Sequence, residues 1–282
     1  MMKIKITADS TCDLSKELAE RYGVDIMPLY VNMDNKPLRD QIDVQPHDVF
    51  QYYERTGNLC FTSACNIGEY LDAFTKLREE YDAVIHLSIS SEFSSTHQNA
   101  VLAAQELENV YVFDSRNLSS GHGVLVIRAC ELAAEGMTAE QILDELKAMV
   151  DKVDTSFIVD QLEYLHKGGR CSSVAALGAN LLKLKPCIEV VDGKMQVGKK
   201  YRGNFDKCVD QYIRERLANA DTIDTARVFL TSSGVAQSSL DTACRAIREC
   251  IGEDPEIVIS TAGCTISCHC GPGTLGIILV RK

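Results

Sequence analysis

The residues most able to do chemistry stand in one stretch, 87–97, in which five of eleven residues are serine and one is threonine. The apolar run before it, 81–86, predicts a buried strand, and the alanine and leucine spacing of 98–108 predicts a helix after it. Hydroxyl groups and the free amides of a helix start can together hold an anion. No carboxylate pair, glycine-rich fingerprint or lysine nucleophile accompanies them. The stretch therefore indicates a site that binds a charged group rather than one that breaks bonds.

Three further loops have a similar polar composition and also stand between a predicted strand and a predicted helix: 8–13, 62–66 and 114–121. Right-handed crossovers place the strand-to-helix loops of a parallel sheet at one edge, where open α/β sheets bind ligands. Each serine or threonine could instead cap its own helix. Four such loops together favour a shared pocket.

The elements that position these loops alternate strand and helix, and this order predicts a mostly parallel sheet with crossover helices over residues 1–155. Within it, 24–33 is predicted to be a single strand. Residues 156–282 are predicted to form a second α/β domain with antiparallel pairing, because 187–191 and 195–199 flank an Asp-Gly turn typical of a hairpin. The predicted fold class is therefore α/β with two domains.

Composition excludes some classes of partner. The formal net charge of -11 and the pI near 5.1 oppose the phosphate backbone of DNA or RNA, and no Lys/Arg cluster reverses that balance. The N-terminus lacks the long apolar core of a signal peptide, and no later run reaches membrane-spanning length. A cytoplasmic protein without a nucleic-acid partner is expected.

Twelve cysteines are spread through a long chain that shows no export signal. Reduced thiols that act as small core residues are therefore predicted rather than disulfides. Cys264, Cys268 and Cys270 form a concentrated group with His269. Zinc sites usually pair their ligands in two separated knuckles, and the sequence has no second knuckle. Buried cysteines in a strand are therefore favoured over a metal site.

Several short motifs, in order and over the full length, resemble those of the DegV family. The matching stretches are Asp9-Ser10-Thr11-Cys12-Asp13-Leu14, Thr62-Ser63, Ser90-Ser91 with Ser94-Ser95-Thr96, Asp114-Ser115, Leu162-Glu163-Tyr164-Leu165 with Gly168-Gly169-Arg170, Lys185-Pro186, and His269-Cys270-Gly271-Pro272-Gly273. No single motif is very specific, but the ordered set is.

The resemblance implies a two-domain protein that binds one long-chain fatty acid, with the carboxylate in the loop pocket and the tail buried, and that needs no cofactor. It also implies the acyl-carrying subunit of bacterial fatty acid kinase, whose separate ATP-binding subunit phosphorylates the bound carboxylate. The chain itself would then not be an enzyme, and its membrane contact would be only transient. Carried over by motif, the carboxylate-binding residues are Thr62, Ser94 and His269, the supporting loop residues are Ser10, Ser63, Ser95, Thr96 and Ser115, and the residues facing the partner or the phosphate are Arg170 and Arg202.

Two positions depart from the family pattern. The loop that begins at Thr62 has Asn66 where the family has its second serine, and it lacks the family's proline. Ser95 replaces the glycine of Ser-Gly-Thr, and serine costs more than glycine if that position needs a positive φ. Both departures can therefore change the conformation of the loops in which they lie.

The energetics agree with the implied role. Burying about fourteen methylenes at ~0.8 kcal/mol each gives on the order of 11 kcal/mol before the costs of association. The tail should dominate affinity and the head should set orientation. The apolar segment 174–182 and the final run 275–280 could line a tunnel that holds the acyl tail. For the final run, a place in the ordinary core is favoured over this role. For 174–182, neither role is favoured.

Other functions stay open from the residues alone. A self-sufficient hydrolase would use Ser94 with His97 or His269, and a phosphotransfer enzyme would carry phosphate on a histidine. The acid and the strained serine turn that a hydrolase needs are not visible in the sequence. A cysteine and histidine metal or redox site at 264–270 is the weakest of these hypotheses.

Overall fold

The computed structural model describes residues 2–175 and 184–282. In the first half the elements are β1 Ile4–Asp9, α1 Lys16–Tyr22, β2 Asp25–Met27, β3 Tyr30–Met33, β4 Lys36–Arg39, α2 Pro46–Thr56, β5 Phe61–Ser63, α3 Ile67–Arg78, β6 Ala83–Ser88, α4 Thr96–Ala104, β7 Val110–Asp114, α5 Ser119–Ala134 and α6 Ala139–Val150. In the second half they are β8 Val153–Val159, α7 Glu163–Gly168, α8 Ser172–Ala175, β9 Lys185–Val191, β10 Lys194–Tyr201, α9 Phe205–Arg216, β11 Ile223–Ser233, α10 Gln237–Ile251, β12 Glu256–Thr261, α11 Cys264–Cys270 and β13 Thr274–Arg281.

Four strands of the first half form a parallel sheet in the order β2-β1-β6-β7. The central strand β6 is buried along its whole length, as expected where helices cover both faces. Helices α3 and α4 cover one face, where Tyr70 and Ala100 pack with Val84. Helix α5 covers the other face, where Leu125 packs with Ile85.

Six strands of the second half form the other large sheet, in the order β10-β9-β8-β13-β11-β12. Its pairs are antiparallel except β11 with β12. Helices α9 and α10 pack on its outer face through Tyr212 and Ile247. Its inner face supplies Phe229 and Ile278 to the cluster that contains α5. The layers are therefore α3 and α4, the parallel sheet, α5, the six-stranded sheet, and α9 and α10, which confirms the predicted α/β class.

The prediction of a single strand over 24–33 is wrong. Strand β2 ends at Met27, and β3 begins at Tyr30 in a different sheet, of order β4-β3-β5, in which both pairs are antiparallel. Pro28 lies between them, and proline has no N–H with which to continue a ladder. The loop 62–66 therefore follows the antiparallel strand β5, and only the other three hydroxyl-rich loops follow strands of the parallel sheet.

The prediction that the cysteines of 264–270 lie in a strand is also wrong, because this segment is helix α11. The amides at its start donate to the carboxylates of Asp13 and Asp40. These side chains satisfy the helix-start amides that nearby residues leave free. A cap supplied by distant residues thus overrides the local composition, which resembles that of a strand.

Some helix ends differ from the sequence prediction. Helix α5 begins at Ser119 rather than Gly123, and α7 begins at Glu163 rather than Asp160. Twelve of the sixteen residues of α5 are buried, including its serine-rich first turn. In the two described stretches, no helix combines the length and the apolar character that crossing a bilayer requires.

Candidate functional site

A cavity of about 360 Å³ lies between three of the four hydroxyl-rich loops, 62–66, 87–97 and 114–121, and the inner face of the six-stranded sheet; the loop 8–13 does not line it. Its volume is within the range of pockets that hold small organic ligands. Much of the apolar part of its wall belongs to one buried cluster, whose cavity-lining members include Ile89, Phe93, Leu118, Phe157, Leu165 and Met195. Alkyl and aromatic walls of this kind suit a hydrocarbon.

One end of the cavity is polar and reaches the surface. Thr62 and His269 line this end together with Ser63, Ser95 and Arg170, and the last three are exposed to solvent. Hydroxyl, imidazole and guanidinium groups are the donors that a carboxylate or a phosphate needs. The cavity therefore combines an opening lined by hydrogen-bond donors with an interior in which an apolar cluster lies beside buried hydroxyls such as those of Ser156 and Thr231.

Thr62 and His269 form the direct contact at this end. The hydroxyl of Thr62, in β5, and Nε2 of His269, in α11, are hydrogen-bonded at 2.8 Å. Burial, reinforced by the nearby charge of Arg170, lowers the pKa of His269 to about 4. The ring is therefore neutral at neutral pH and carries a proton on only one of its two nitrogens.

The other ring nitrogen of His269 faces the end of helix α7. A Cβ built on Gly168 would lie 2.8 Å from Nδ1, so only glycine lets the α7 backbone come this close to the ring. The carbonyl of Gly168 accepts a hydrogen bond from Nη1 of Arg170 at 3.0 Å. The Gly-Gly-Arg motif therefore both positions the imidazole and holds a cation beside it.

Two buried aspartates fix helix α11, which carries His269. Asp13 accepts the Gly263 amide at 2.8 Å. Asp40 accepts the Cys264 amide at 2.8 Å and the Thr265 amide at 3.2 Å. Burial raises the pKa of Asp13 well above its usual range. Because both carboxylates bind the first amides of α11, they set the position of the imidazole near its other end.

The serine loop after β6 is held at its start by two polar contacts. The Ile89 amide donates to Asp9 at 2.8 Å, and the Ser90 hydroxyl donates to the Gly193 carbonyl at 2.8 Å. Ser94 is half-buried, lines the cavity, and accepts the Thr96 amide at 3.2 Å. Ser95 has a φ of -72°. The serine that replaces the family's glycine therefore has an ordinary backbone and carries no conformational cost.

Asn66, the other departure from the family pattern, caps helix α3. Its side chain accepts the Glu69 amide at 3.0 Å, and the Glu69 carboxylate in turn accepts the Asn66 amide at 2.9 Å. Asparagine is as good a cap as serine. The loop therefore keeps a sound helix start without the family's serine.

The structure brings together six of the sequence-predicted site residues and leaves four elsewhere. The residues that line the cavity are Thr62, Ser63, Ser94, Ser95, Arg170 and His269. Of the others, Ser10 donates to Asp40 at 2.9 Å, Thr96 bonds with the Tyr70 hydroxyl at 2.7 Å, Ser115 donates to the Asn117 carbonyl at 3.2 Å, and Arg202 is exposed after β10. The three hydroxyls outside the cavity thus support the loops rather than face a ligand.

The two segments proposed to line the tunnel fare differently. In β13, Thr274, Gly276 and Ile278 line the cavity, whereas the alternate residues Leu275 and Ile277 pack on the outer core. One face of the final run therefore belongs to the ordinary core, and the other face lines the cavity. Of the segment 174–182, Val174 packs in the apolar cluster beside the cavity, and the part from 176 onward lies outside the described residues.

Sequence reasoning missed three residues that shape the site: Asp13, Asp40 and Gly168. Asp13 and Gly168 lie inside motifs that were noted, but nothing in the motifs shows what they contact. Asp40 lies in no motif, and its partner Cys264 is 224 residues away. Only the tertiary structure reveals this contact.

The cysteines do not form a metal centre in the described chain. All twelve are free thiols. Across 2–175 and 184–282, no three histidine, cysteine or acidic side chains come together as potential metal ligands. Ten of the twelve thiols are buried, as expected for small core residues.

The layered α/β fold contains a cavity that opens on hydroxyl and imidazole groups and is lined in part by an apolar cluster. Residues 3–282 match the family described as "Uncharacterised protein, DegV family". The chain belongs to the DegV family, which confirms the resemblance seen in its motifs.

Relatives and solved structures agree with this assignment. A protein of Thermotoga maritima named fatty acid-binding protein is 33% identical over 296 residues, which cover 100% of both chains. A DegV family protein from Thermus thermophilus, described as fatty acid binding, superposes with a TM-score of 0.92 at 31% identity and 100% coverage of both chains. A stearic acid-binding protein from Eubacterium ventriosum superposes with a TM-score of 0.83 at 25% identity, covering 99% of this chain and 98% of that one.

Proposed function

We propose that this protein binds one long-chain fatty acid, holds its carboxylate with Thr62, Ser94 and His269, and buries its tail in the cavity. One observation carries the proposal: the Thr62–His269 pair stands at the open end of a 360 Å³ cavity, and an apolar cluster that includes Phe93, Leu165 and Met195 forms much of the cavity wall. A structure described as fatty acid binding has the same fold over the whole chain, and a relative named for fatty acid binding is similar in sequence over its full length.

The headgroup chemistry follows from the neutral imidazole. In the tautomer that carries its proton on Nε2, His269 donates to the Thr62 oxygen, and the Thr62 hydroxyl proton is then available to a carboxylate oxygen. The Ser94 hydroxyl supplies a second donor, and Arg170 supplies a positive charge at the opening. A carboxylate leaving water needs several such donors.

The tail contributes most of the affinity. Side chains such as Phe93, Leu165 and Met195 line the cavity and belong to one apolar cluster. Each buried methylene contributes ~0.8 kcal/mol, so a long chain outweighs the cost of association. No cofactor is needed for binding of this kind.

The finer proposal is that the bound acid is presented to a separate ATP-dependent kinase subunit, which forms an acyl-phosphate. The carboxylate would lie at the surface-open end, where a second protein can reach it, and Arg170 and Arg202 are exposed for contact with that protein or with the phosphate. The twelve free thiols suit a reducing cytoplasm. Taking up its ligand would require only transient contact with a membrane.

The contacts of Ser94 do not favour a self-sufficient hydrolase. The Ser94 oxygen accepts the Thr96 amide, while His97 bonds with Ser88 at 2.8 Å and His269 bonds with Thr62. Within the described chain, Ser94 therefore has no hydrogen bond to a histidine base.

Organic extraction of the purified protein, followed by mass spectrometry, tests the binding proposal. We expect about one long-chain fatty acid per chain and, after its removal, stoichiometric rebinding of stearic acid. Methyl stearate is the matched control ligand, because it keeps the tail but lacks the anionic head, and it should bind more weakly. No bound lipid together with no rebinding of stearic acid would contradict the proposal.

The kinase step is tested separately, by mixing the loaded protein with a purified bacterial ATP-binding fatty acid kinase subunit and ATP. We expect acyl-phosphate only when both proteins are present, and a slower rate with Arg202→Ala, which lies outside the cavity lining, at unchanged stearic acid affinity. Acyl-phosphate formed by this chain alone, or no product with any kinase subunit although the acid is bound, would contradict the kinase step and leave the binding proposal standing.

A further inference from the structure

Strand β13 has a glycine in the middle of the part that lines the cavity. Thr274, Gly276 and Ile278 line the cavity, as expected for alternate residues of a strand, which share one face. Glycine weakens the interior of a strand, and there it often marks a bulge or a place where a ligand approaches the backbone closely. The pairing of β13 with β8 and β11 is regular on both sides of Gly276, so no bulge accounts for it.

The neighbours of Gly276 leave little room for a side chain. A Cβ built on Gly276 would lie 3.1 Å from the carbonyl oxygen of Ser156 and 3.3 Å from Cβ of Phe157. Phe157 is directly opposite Gly276 on β8, and the Cβ atoms of two ordinary residues in such a pair are about 4.5–5.5 Å apart. The two strands therefore approach more closely here than two side chains would allow.

Gly276 forms the floor of a groove in the cavity wall. Phe157 is on one side of it, and Thr231, directly opposite Gly276 on β11, is on the other. Both residues also line the cavity, and the Thr231 hydroxyl is held by those of Ser120 and Ser260 at 2.6 and 2.9 Å. Because β13 is paired on both sides, its peptide groups are used in the sheet. A bare backbone of this kind can lie against a hydrocarbon chain.

The groove lies between the open end and the closed end of the cavity. Towards the open end, the Thr274 hydroxyl donates to the carbonyl of Cys270 at 3.0 Å, and Cys270 is next to His269. Towards the other end, Ile278 is buried in the core around α5, and no later residue of β13 lines the cavity. Residues on one face of a strand follow one another at about 6.8 Å. A tail that enters beside His269 therefore meets Gly276 before it reaches the closed end.

We propose that Gly276 determines the length of acyl chain that the protein accepts, because it leaves a passage over β13 for the far end of a long tail. The inference rests on the proposed function. An acid too short to reach the groove does not use the passage. Each further methylene of a longer acid adds affinity only if it is buried, and a side chain at position 276 would stop the tail at this point.

The affinities of saturated acids from decanoic to stearic acid test this in the wild type and in Gly276→Ala. Wild-type affinity should rise through the series, whereas that of the variant should stop rising at a shorter acid. We expect the ratio of stearic to decanoic acid affinity to fall about tenfold, which corresponds to about two methylenes left in water. Because both acids are measured on one protein, the ratio does not depend on the fraction that is folded.

Leu275→Met is the matched control for this series. Leu275 is the next residue of β13 and packs on the outer core, so this variant should keep the wild-type ratio. Affinities of Gly276→Ala that run parallel to those of the wild type at every chain length overturn the proposal.

A measurement on the unaltered protein decides the question if Gly276→Ala does not fold. In protein with isotopically labelled glycine, stearic acid should shift the NMR signal of the Gly276 amide, and decanoic acid should leave it in place. Gly198, in β10 and outside the cavity lining, is the internal control. A Gly276 signal that stearic acid does not move, or that both acids move equally, overturns the proposal.

The two proposals fail differently. A wild-type protein that binds none of the acids contradicts the proposed function. A wild-type protein that binds them, together with a parallel series in the variant, contradicts only the role of Gly276.

Discussion

Thr62 and His269 are 207 residues apart in the sequence and meet through a single hydrogen bond. Each alone is an ordinary residue: threonine in a strand, and a partly buried histidine in a helix. Together, in a site where burial keeps the imidazole neutral, they can direct a hydroxyl proton toward an anion. At this scale the proposed function depends on the Thr62 oxygen.

Replacing Thr62 with valine tests this dependence, because valine keeps the shape of threonine and removes only the oxygen. We expect stearic acid affinity to fall about 10- to 100-fold, since a hydrogen bond to a charged group contributes about 1.5–3 kcal/mol. Calorimetric titration measures the change. The control is Thr62→Ser, which keeps the hydroxyl and should stay close to wild type. Equal affinities in the valine variant and the wild type would show that the carboxylate lies elsewhere.

At the scale of elements, the site is made by helix α11, which no pattern in the sequence predicted. Its seven residues have a composition that favoured a strand, and it forms because Asp13 and Asp40 accept the amides at its start. Both aspartates come from loops near the edge of the parallel sheet, so the first half of the chain holds the element of the second half that carries His269. The aspartates are positioning residues.

Asp40→Asn tests this positioning. Asparagine has one carbonyl oxygen where the carboxylate has two that accept the Cys264 and Thr265 amides. We expect the free energy of unfolding in urea to fall by about 2–4 kcal/mol, because buried donors lose a charged partner. Stearic acid affinity should also fall, although Thr62 is unchanged. The imidazole signal of His269 in NMR spectra should shift, which a merely structural role far from the site would not cause.

Asp144→Asn is the control for this prediction. Asp144 lies in α6 and pairs with Lys147 on the surface at 3.0 Å. Surface ion pairs contribute little to stability, so this variant should unfold and bind like wild type. An Asp40→Asn protein with the stability, the His269 signal and the affinity of wild type would refute the role assigned to Asp40.

For the whole molecule, the sequence predicted the α/β class and most of the site's loops, because these depend on local signals. Strand and helix alternation fixes the class, and the ordered motifs locate Thr62, Ser94 and His269. What could not be predicted depends on contacts between distant residues. The chain leaves the parallel sheet at Pro28, and α11 is a helix because of Asp40; neither fact follows from periodicity.

Buried histidines make the stability of the whole molecule depend on pH. Burial lowers the pKa of His86 to about 3 and that of His269 to about 4, from an ordinary value of 6.5. Between pH 6.5 and these values the unfolded chain binds protons that the folded chain does not. The contribution of each such histidine to the free energy of unfolding is therefore fully present above pH 6.5. As the pH falls below 6.5, this contribution decreases by about 1.4 kcal/mol per pH unit.

His86→Gln tests this dependence through a slope rather than an absolute stability. We expect the free energy of unfolding of the variant to fall less steeply between pH 6.5 and 4 than that of the wild type, by about 1.4 kcal/mol per pH unit. Urea unfolding at several pH values measures both slopes. His47→Gln is the control, because the His47 side chain is 68% exposed, and it should keep the wild-type slope. Identical slopes in His86→Gln and the wild type would contradict the assignment.

The measurement that tests the central claim most directly is a crystal structure of the protein with stearic acid. The account predicts one carboxylate oxygen within hydrogen-bonding distance of the Thr62 hydroxyl, roughly 3 Å or less, and the hydrocarbon tail packed among Phe93, Leu165 and Met195. A fatty acid bound outside the cavity, or one whose carboxylate lies deep among these apolar residues with Thr62 bonded only to His269, would contradict it.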